Sequence, residues 1–463
     1  VRWLIYTIII GLMIFLTTLV VTGELPDKIE GYMKMKNLVS SVLLLGALVF
    51  LSSCSNDGEP GASTTNTPNI LFIIADDLGK DAIKGYTEGS IKPATPNIDA
   101  IRNSGLTFTN FWVNPTCTPT RASIMTGKYG YRTGVKGVGD VLSSSEVSLQ
   151  KYISENTNNK YASAIVGKWH LSGNNASFNP ESFGIDYYAG LIRGTVDNYY
   201  QWQLTEDGIS SLQTKYTTEV FTELAIDWVS GQSKPWFLWV AYNAPHTPFH
   251  VPPAEMHNQG SLPVYAAGMN ATPYYMAAIE AMDYQIGRLL DNIPKAERDN
   301  TVIIFIGDNG TPNDVAQSPF TNATVKNTLY QGGINVPMFI SGSGVSRVGV
   351  DTNLVSGSDL FATLAELAGM SITQYQDSES FKSLLTKSSI IRDYQYSELK
   401  DESTDSWAIS NGSYKLIKNS LGKTEFYDLA KDTYENNNLL NGALSAKDES
   451  AKSDLEAELS RIR

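Results

Sequence analysis

The sequence predicts an α/β fold built on a large, mostly parallel or mixed sheet with helices on its faces. Two observations carry this prediction. Short, uninterrupted apolar runs recur along the chain and stop at polar residues, which is typical of strands buried on both faces of a sheet. Between these runs, Tyr216 to Ser230 and Tyr274 to Asn292 repeat apolar residues at intervals of three and four, which predicts amphipathic helices.

Four apolar runs define the predicted sheet, and polar residues follow each of them. The runs are Ile70 to Ala75, Tyr161 to Val166, Trp236 to Ala241 and Val302 to Ile306. The polar residues that follow include Asp76, Asp77, Lys168, His170, His246, Asp308 and Asn309. Ligands of open α/β sheets bind outside the carboxyl ends of the strands, so these side chains are predicted to share one pocket.

The composition excludes some classes of protein. The chain has 463 residues, of which 42% are apolar, and a formal net charge of -13. Disordered chains have few apolar residues and a high charge density, so this chain is predicted to fold, as one large or two unequal domains. Nonspecific nucleic-acid binding needs an excess of Lys and Arg. We therefore expect no nucleic-acid partner, and local cations wherever an anion binds.

The first 68 residues have the pattern of targeting and linker sequence. Trp3 to Val21 is apolar and long enough to span a bilayer. A complete signal follows, with a short positive region at 33–37, an apolar region at 38–50, and Leu51-Ser-Ser-Cys54, which resembles a bacterial lipobox. This resemblance implies cleavage before Cys54 and lipid attachment to its sulfur.

Residues 33–53 are accordingly predicted to be a lipoprotein signal peptide. Residues 1–32 are then an upstream extension, with an N-terminal hydrophobic membrane segment as the alternative. Residues 54–68 are rich in Asn, Gly, Ser, Thr and Pro, which predicts a flexible tether. The expected location is the bacterial cell envelope, lipid-anchored in the periplasm or at the outer-membrane surface.

The acidic residues after the first and last runs indicate a metal site. Asp76, Asp77, Asp308 and Asn309 offer only hard oxygen donors. Such donors suit Ca²⁺ or, less well, Mg²⁺, whereas zinc favours nitrogen and sulfur. The alternative is that each pair only begins a polar turn after a strand.

The stretch around Cys117 carries a resemblance to a known family. Cys117-Thr-Pro-Thr-Arg121, followed by Ile124-Met125 and Thr-Gly127, matches the C-x-P-x-R signature of the type I, formylglycine-dependent sulfatases of the alkaline phosphatase-like superfamily. Further blocks of that family resemble the segments that contain Lys168 and His170, His246, and Lys326. The chain departs from the family pattern at Lys160, Ser172 and Gln331, where the family usually has Gly, Gly and Glu.

The resemblance implies a domain division and a substrate class. It implies a catalytic domain at 69–388 and a smaller α+β subdomain with an antiparallel sheet at 389–463. The expected reaction is hydrolysis of sulfate monoesters, with release of inorganic sulfate from a sulfated poly- or oligosaccharide. Two alternatives stay open, namely a phosphodiesterase or phosphonate hydrolase of the same superfamily, and a catalytically silent glycan-binding lipoprotein.

The resemblance also implies the catalytic groups. Cys117 would be oxidised by a formylglycine-generating maturation enzyme, and the hydrated aldehyde would be the nucleophile. Thr118 is expected to cap a helix that begins at Pro119, whose positive end would face the sulfate. The other expected catalytic residues are Arg121 at the diol, Lys168 and Lys326 at sulfate oxygens, His170 as a base and His246 as the acid for the leaving alcohol.

Substrate contacts are expected from the segment between the two histidine blocks and from the residues just beyond it. The first segment is rich in aromatic and polar side chains, which suit sugar rings. The predicted contacts are Arg193, Trp202 and His250.

Overall fold

The computed structural model of the protein describes residues 67–173, 175, 177–401 and 403–463. The strands are β1 (Asn69–Ala75), β2 (Leu106–Phe108), β3 (Phe111–Trp112), β4 (Ala162–Lys168), β5 (Tyr187–Leu191), β6 (Trp202–Glu206), β7 (Ile209–Gln213), β8 (Trp236–Ala241), β9 (Thr301–Gly307), β10 (Met338–Gly342), β11 (Gly349–Asp351), β12 (Val355–Ser356), β13 (Gln374–Tyr375), β14 (Ser378–Glu379), β15 (Gln395–Lys400), β16 (Asp405–Ser410), β17 (Tyr414–Asn419) and β18 (Thr424–Asp428). The helices are α1 (Pro96–Asn103), α2 (Cys117–Thr126), α3 (Gly130–Thr133), α4 (Leu149–Asn156), α5 (Thr217–Ser230), α6 (Thr272–Asn292), α7 (Lys295–Asp299), α8 (Gln331–Ile334), α9 (Asp359–Leu367) and α10 (Ala446–Ile462).

The large sheet is mixed, with a parallel centre. Its strand order is β11-β2-β10-β9-β1-β8-β4-β5-β6-β7. The pairs β9-β1, β1-β8, β8-β4 and β4-β5 are parallel, whereas β10, β6 and β7 add antiparallel pairs. The four strands predicted from the apolar runs are therefore neighbours in the centre of the sheet. This confirms the predicted α/β class.

The carboxyl ends of the central strands lie side by side. Ala75 pairs with Gly307, and Ala241 pairs with both Ile74 and Gly167. Strand β4 continues to Lys168, two residues beyond the predicted apolar run, because Gly167 and Lys168 still pair with β5. The polar residues that follow these strands consequently begin at one edge.

Helices cover both faces of the sheet because side chains alternate along each central strand. In β1, Ile70, Phe72 and Ile74 belong to a cluster that contains residues of α2, α4 and α9. Leu71, Ile73 and Ala75 belong to the cluster on the other face, with residues of α1, α5 and α6. Helix α2 therefore packs on one defined face, which fixes the position of its first turn.

A smaller antiparallel sheet follows near the C-terminus, as expected. Its order is β15-β16-β17-β18, and Leu455 and Leu459 of α10 pack into its apolar cluster. A buried ion pair ties this subdomain to α8. Lys415 Nζ lies 2.5 Å from Glu435 Oε1, and Glu435 Oε2 accepts a 2.6 Å hydrogen bond from the backbone N–H of Gln331.

The last residues of the predicted tether contact the catalytic domain. The hydroxyl of Tyr161 donates a hydrogen bond to the carbonyl of Pro68, and the side-chain amide of Asn300 donates one to the carbonyl of Thr67. Residues 67 and 68 at the end of the predicted tether are therefore held against the folded domain. The predictions for residues 1–32, 33–53, Cys54 and the remaining tether fall outside the described residues. Among the described helices, none is both long enough and apolar enough to span a membrane.

Candidate functional site

The predicted metal ligands meet at the carboxyl edge of the sheet. Asp76, Asp77, Asp308 and Asn309 are all buried. The backbone N–H of Asp77 donates to Asp308 Oδ1 over 3.0 Å, and Asn309 Nδ2 donates to Asp77 Oδ1 over 2.7 Å. Asp77 has a left-handed backbone (φ 68°), which turns its side chain toward the other three immediately after the strand. The two ends of β1 and β9 thus form one cluster of oxygen donors.

Three side-chain cations contact the three carboxylates. Lys168 Nζ lies 2.6 Å from Asp76 Oδ2, and Lys326 Nζ lies 2.6 Å from Asp77 Oδ2. Arg121 donates from Nε and from a terminal nitrogen to Asp308 Oδ2, over 3.1 and 2.7 Å. Its other terminal nitrogen donates to the carbonyl of Lys168. Arg121 therefore orients Asp308 and the end of β4 together.

The charges in this cluster shift one another's pKa values. Burial raises the pKa of Asp308 above its usual range, and the neighbouring Asp76 adds to this rise. Burial would raise the pKa of Asp77 as well, but Lys326 and His246 more than offset it, and the pKa of Asp77 is lowered. Burial alone would lower the pKa of Lys168, whereas Asp76 reverses the effect and raises it. The neighbouring opposite charges thus favour the charged forms of Asp77 and Lys168, whereas burial and Asp76 disfavour the charged form of Asp308.

The donor set fits a hard divalent cation. Asp76 Oδ1 and Asn309 Oδ1 are buried without a hydrogen-bond partner among the described residues. A buried polar atom without a partner is costly, and a bound cation would satisfy both oxygens. One ligand atom each of Asp76, Asp77 and His246 also lie within 4.8 Å of one another. Three carboxylates and an amide nevertheless make a set dominated by oxygen, which Ca²⁺ or Mg²⁺ prefers.

Cys117 occupies the first turn of helix α2 and is buried. The expected cap was wrong: the helix begins at Cys117 with Thr116 as its N-cap, and Thr118 lies within the first turn. The earlier start is tolerated because the first four N–H groups of a helix have no intrahelical acceptor, so Pro119 at the third position loses no hydrogen bond. The side chain of residue 117 thus lies at the positive end of the helix.

His170 lies beside Cys117. Its Nδ1 is 3.2 Å from Cys117 Sγ. Burial and then the charges of Lys168 and Arg121 lower the pKa of His170 well below its usual value, so the imidazole is neutral at neutral pH. Gly194 packs directly on the ring, and a Cβ at that position would lie 2.2 Å from His170 Nε2. The missing side chain at 194 therefore permits the observed position of the imidazole.

His246 approaches the cluster from the loop after β8. Its Nε2 lies 3.6 Å from Asp77 Oδ2, and its Nδ1 lies 2.7 Å from the carbonyl of Thr247. The buried hydroxyl of Tyr199 is within hydrogen-bond distance of the carbonyls of Asn243 and His246, at 2.7 and 2.6 Å. Tyr199 therefore fixes the backbone that carries this histidine.

Trp202, a predicted substrate contact, was a wrong assignment. Its side chain is only 3% exposed, packs edge-on against Phe221, and donates its indole N–H to the carbonyl of Lys215. A ring buried on this scale has no free face for a sugar. The aromatic residues of this segment mainly pack in the core, and Tyr188 is likewise buried.

His250 was also wrongly assigned as a substrate contact. Its Nε2 lies 3.0 Å from the hydroxyl of Tyr216, its Nδ1 lies 2.9 Å from the carbonyl of Pro248, and its ring stacks on Tyr199. Both ring nitrogens are thus occupied by the protein. Arg193, by contrast, is exposed and directly precedes Gly194, which lies against the ring of His170.

Several residues that shape the site carry no motif of their own. They are Gly194, Tyr199, and the buried, hydrogen-bonded side chains of Asp81 and Thr311, which lie shortly after Asp77 and Asn309 in the chain. Tyr199 stands in the aromatic segment, where composition suggested sugar binding rather than support of a loop. Gly194 and His170 lie in different loops of the chain, and no local pattern in the sequence indicates that they are in contact. The role of Gly194 can therefore be recognised only in the folded structure.

Comparison with known proteins gives consistent matches. The family described as Sulfatase matches residues 68–370, and the family described as N-sulphoglucosamine sulphohydrolase, C-terminal, matches residues 324–463. Arylsulfatase G of Rattus norvegicus is 28% identical over 405 residues, which cover 74% of this chain and 72% of that protein. N-acetylgalactosamine-6-sulfatase of Homo sapiens is 30% identical over 362 residues, which cover 68% and 64%. The solved structure of Ps i-CgsB in complex with k-i-k-neocarrahexaose matches with a TM-score of 0.73 at 25% identity, covering 86% of this chain and 92% of that one.

Proposed function

Since this chain belongs to the sulfatase family and is a sulfuric ester hydrolase, we propose that it releases inorganic sulfate from a sulfated poly- or oligosaccharide through a formylglycine made from Cys117. The observation that carries the proposal is the position of Cys117 at a helix N-terminus, 3.2 Å from a neutral His170. When formed, the formylglycine supplies a hydrated aldehyde as the nucleophile. Its formation requires a maturation enzyme as a partner.

We assign the metal site to Asp76, Asp77, Asp308 and Asn309, with Ca²⁺ preferred over Mg²⁺. When bound, the ion supplies Lewis acidity toward a sulfate oxygen and the nucleophile. The side chains suit an anionic substrate in this arrangement. Lys168 and Lys326 each contact one of the carboxylates and Arg121 contacts another. The three cations therefore balance the three carboxylates, and a divalent cation gives the site a net positive charge.

The remaining roles follow from the contacts. Lys168 and Lys326 are positioned to hold sulfate oxygens, because their ammonium groups lie at the carboxylates that would bind the metal. His170, held neutral, accepts a proton from the group at residue 117. His246 is partly exposed on the other side of Asp77, so we assign it the donation of a proton to the leaving alcohol.

A sulfated glycan is the substrate class that the relatives suggest. One relative is an N-acetylgalactosamine-6-sulfatase, and the solved structure of Ps i-CgsB is a complex with k-i-k-neocarrahexaose. We also propose that the protein works at the bacterial cell envelope, lipid-anchored through Cys54, in the periplasm or at the outer-membrane surface. The lipobox-like sequence that ends at Cys54 supports this location.

Mass spectrometry of the tryptic peptide 103–121 tests the proposed modification. Protein from its native host, or made together with a formylglycine-generating enzyme, is expected to carry an aldehyde in place of the thiol-bearing methylene at Cys117. The same preparation should release sulfate from 4-nitrophenyl sulfate. An alkylatable thiol at Cys117 in native material that still hydrolyses sulfate esters would contradict the formylglycine assignment.

Arg193 is the surviving candidate for substrate recognition. The variant Arg193→Ala is expected to raise KM about 10-fold for sulfated oligosaccharides that carry a second anionic group, equivalent to about 1.4 kcal/mol of lost binding. Its kcat and its activity on 4-nitrophenyl sulfate should change little, because the guanidinium is exposed outside the reacting centre. Steady-state kinetics on both substrate types measure this difference.

Arg461→Ala is the matched control, since Arg461 is an exposed arginine on α10. It should leave both substrates unaffected. If Arg193→Ala lost the same factor in kcat/KM on 4-nitrophenyl sulfate as on the multiply charged oligosaccharide, a role of Arg193 in substrate recognition would be excluded.

A further inference from the structure

The segment that follows Asp76 and Asp77 closes around the ammonium group of Lys92. Lys92 Nζ donates to the backbone carbonyls of Lys80, Asp81 and Ile83 over 3.0, 3.2 and 2.7 Å, and it also contacts the carbonyl of Glu88. Four carbonyl oxygens around one cation resemble the way proteins hold metal ions. Burial lowers the pKa of Lys92 to about 8, so the charged form still predominates at neutral pH.

Asp81 connects this closed segment to the strand end that carries Asp308 and Asn309. Its side chain is buried and accepts hydrogen bonds from the hydroxyl of Thr311 and, over 2.9 Å, from the backbone N–H of Gln317. The side-chain amide of Gln317 returns a 2.9 Å hydrogen bond to the carbonyl of Asp81. The segment around Lys92 is thus joined to residues 311–317 through both the side chain and the backbone carbonyl of Asp81.

Thr311 in turn contacts the loop of Lys326. The backbone N–H of Lys326 donates to the carbonyl of Thr311 over 3.2 Å, and that of Asn327 donates to the carbonyl of Pro115 over 3.0 Å, just before Cys117. Gly79 permits the close approach on the other side, because a Cβ there would lie 2.4 Å from Thr311 Oγ1. The segments that follow β1 and β9 and the loop of Lys326 therefore meet around Thr311.

We propose that Lys92 is an internal cation that holds the segment 80–92 closed and, through Asp81 and Thr311, positions the metal-ligating side chains and Lys326. This inference rests on the proposed metal site. Lys92 contacts neither the metal ligands nor the reacting groups, so it is a positioning residue. Groups that hydrogen-bond the metal ligands themselves change metal affinity by about 10 to 100-fold when they are removed, and Lys92, which acts one step further out, is expected to fall at the low end of this range.

The test compares Lys92→Met with the parent enzyme. After treatment with a chelator, calorimetric titration with Ca²⁺ should show about 10-fold weaker binding for Lys92→Met. Hydrogen–deuterium exchange should be faster in peptides that cover 77–92 and 311–317. Lys382→Met is the control, since its ammonium also donates to a backbone carbonyl, that of Glu366 over 3.0 Å, in a region that touches none of these loops.

Chemical rescue separates a cation role from simple loss of packing. In Lys92→Ala, ammonium or methylammonium ions should restore Ca²⁺ affinity and slow the exchange again, because they replace the missing donor in the carbonyl cage. Tetramethylammonium, which has no N–H group, should not. Asp81→Asn should also weaken Ca²⁺ binding. Added ammonium should not restore the affinity of this variant, because Lys92 still occupies the carbonyl cage.

Two results bear on different claims. Unchanged Ca²⁺ affinity and unchanged exchange in Lys92→Met would overturn the role of Lys92. If the parent bound no Ca²⁺, the metal assignment would fail instead, and the exchange experiment would still decide whether Lys92 closes the segment.

Discussion

Replacing Cys117 by Ala is expected to abolish sulfate release, with a fall in kcat of about 10⁴-fold or more. An alanine offers no thiol for conversion to an aldehyde, so no nucleophile can form at the helix N-terminus. The cations around the carboxylate cluster remain, because Arg121, Lys168 and Lys326 do not depend on residue 117 for their contacts. Sulfate release from 4-nitrophenyl sulfate and from sulfated oligosaccharides measures the loss.

Ser123→Ala provides the matched control for this substitution. Ser123 lies in the same helix, is buried, and bonds only to the carbonyl of Thr120 within that helix. It should retain activity and the parent's melting temperature. Calorimetry with a sulfated oligosaccharide adds a second readout, since Cys117→Ala should still bind the ligand that it no longer hydrolyses.

Comparison of Cys117→Ala with the parent also separates an enzyme from a silent glycan-binding protein. If the parent, matured with its partner enzyme, releases no sulfate while it and Cys117→Ala bind the oligosaccharide equally, the catalytic proposal is wrong. A parent that hydrolyses a phosphate diester to an alcohol and a phosphate monoester faster than it releases sulfate from a sulfate monoester would instead favour a phosphodiesterase activity.

The parts of the site that the sequence predicted are those in which a local pattern determines position. A strand buried on both faces must be a continuous apolar run, and its polar residues then fall at the carboxyl end of the sheet. Asp76, Asp77, Asp308 and Asn309 could therefore be grouped before any coordinates, although 231 residues separate Asp77 from Asp308. The four strands that end at the site are central neighbours in the sheet.

The incorrect predictions concern residues whose surroundings come from distant parts of the chain. Trp202 and His250 are residue types that often bind sugars. Trp202 is nevertheless buried against α5, and both ring nitrogens of His250 bond to other residues of the protein. Burial of an aromatic ring depends on which helix covers it, and no spacing within the segment encodes that. Lys92 likewise shows no motif, because its four carbonyl partners become neighbours only when the segment closes.

Replacing Gly194 by Ala is expected to lower kcat/KM about 100-fold while leaving the fold intact. A Cβ at 194 would lie 2.2 and 2.3 Å from Nε2 and Cε1 of His170, so the ring must move. The ring is the mobile end of a side chain, and its displacement costs little stability. It does remove Nδ1 from its position 3.2 Å from residue 117, and an error of about 1 Å in a catalytic group can cost about 100-fold in rate.

A double-mutant cycle tests whether Gly194 acts through His170. His170→Ala alone should reduce kcat/KM by about 10² to 10⁴-fold, as expected for a general base. If the methyl group acts only by moving the imidazole, Gly194→Ala should have almost no further effect when residue 170 is already Ala, since the two changes then share one cause. Gly442→Ala is the control, because Gly442 has an ordinary extended backbone and an added Cβ there meets no described atom within 4 Å. Full activity in Gly194→Ala, or an equal loss with and without the imidazole, would show that the contact between Gly194 and His170 does not set the position of the base.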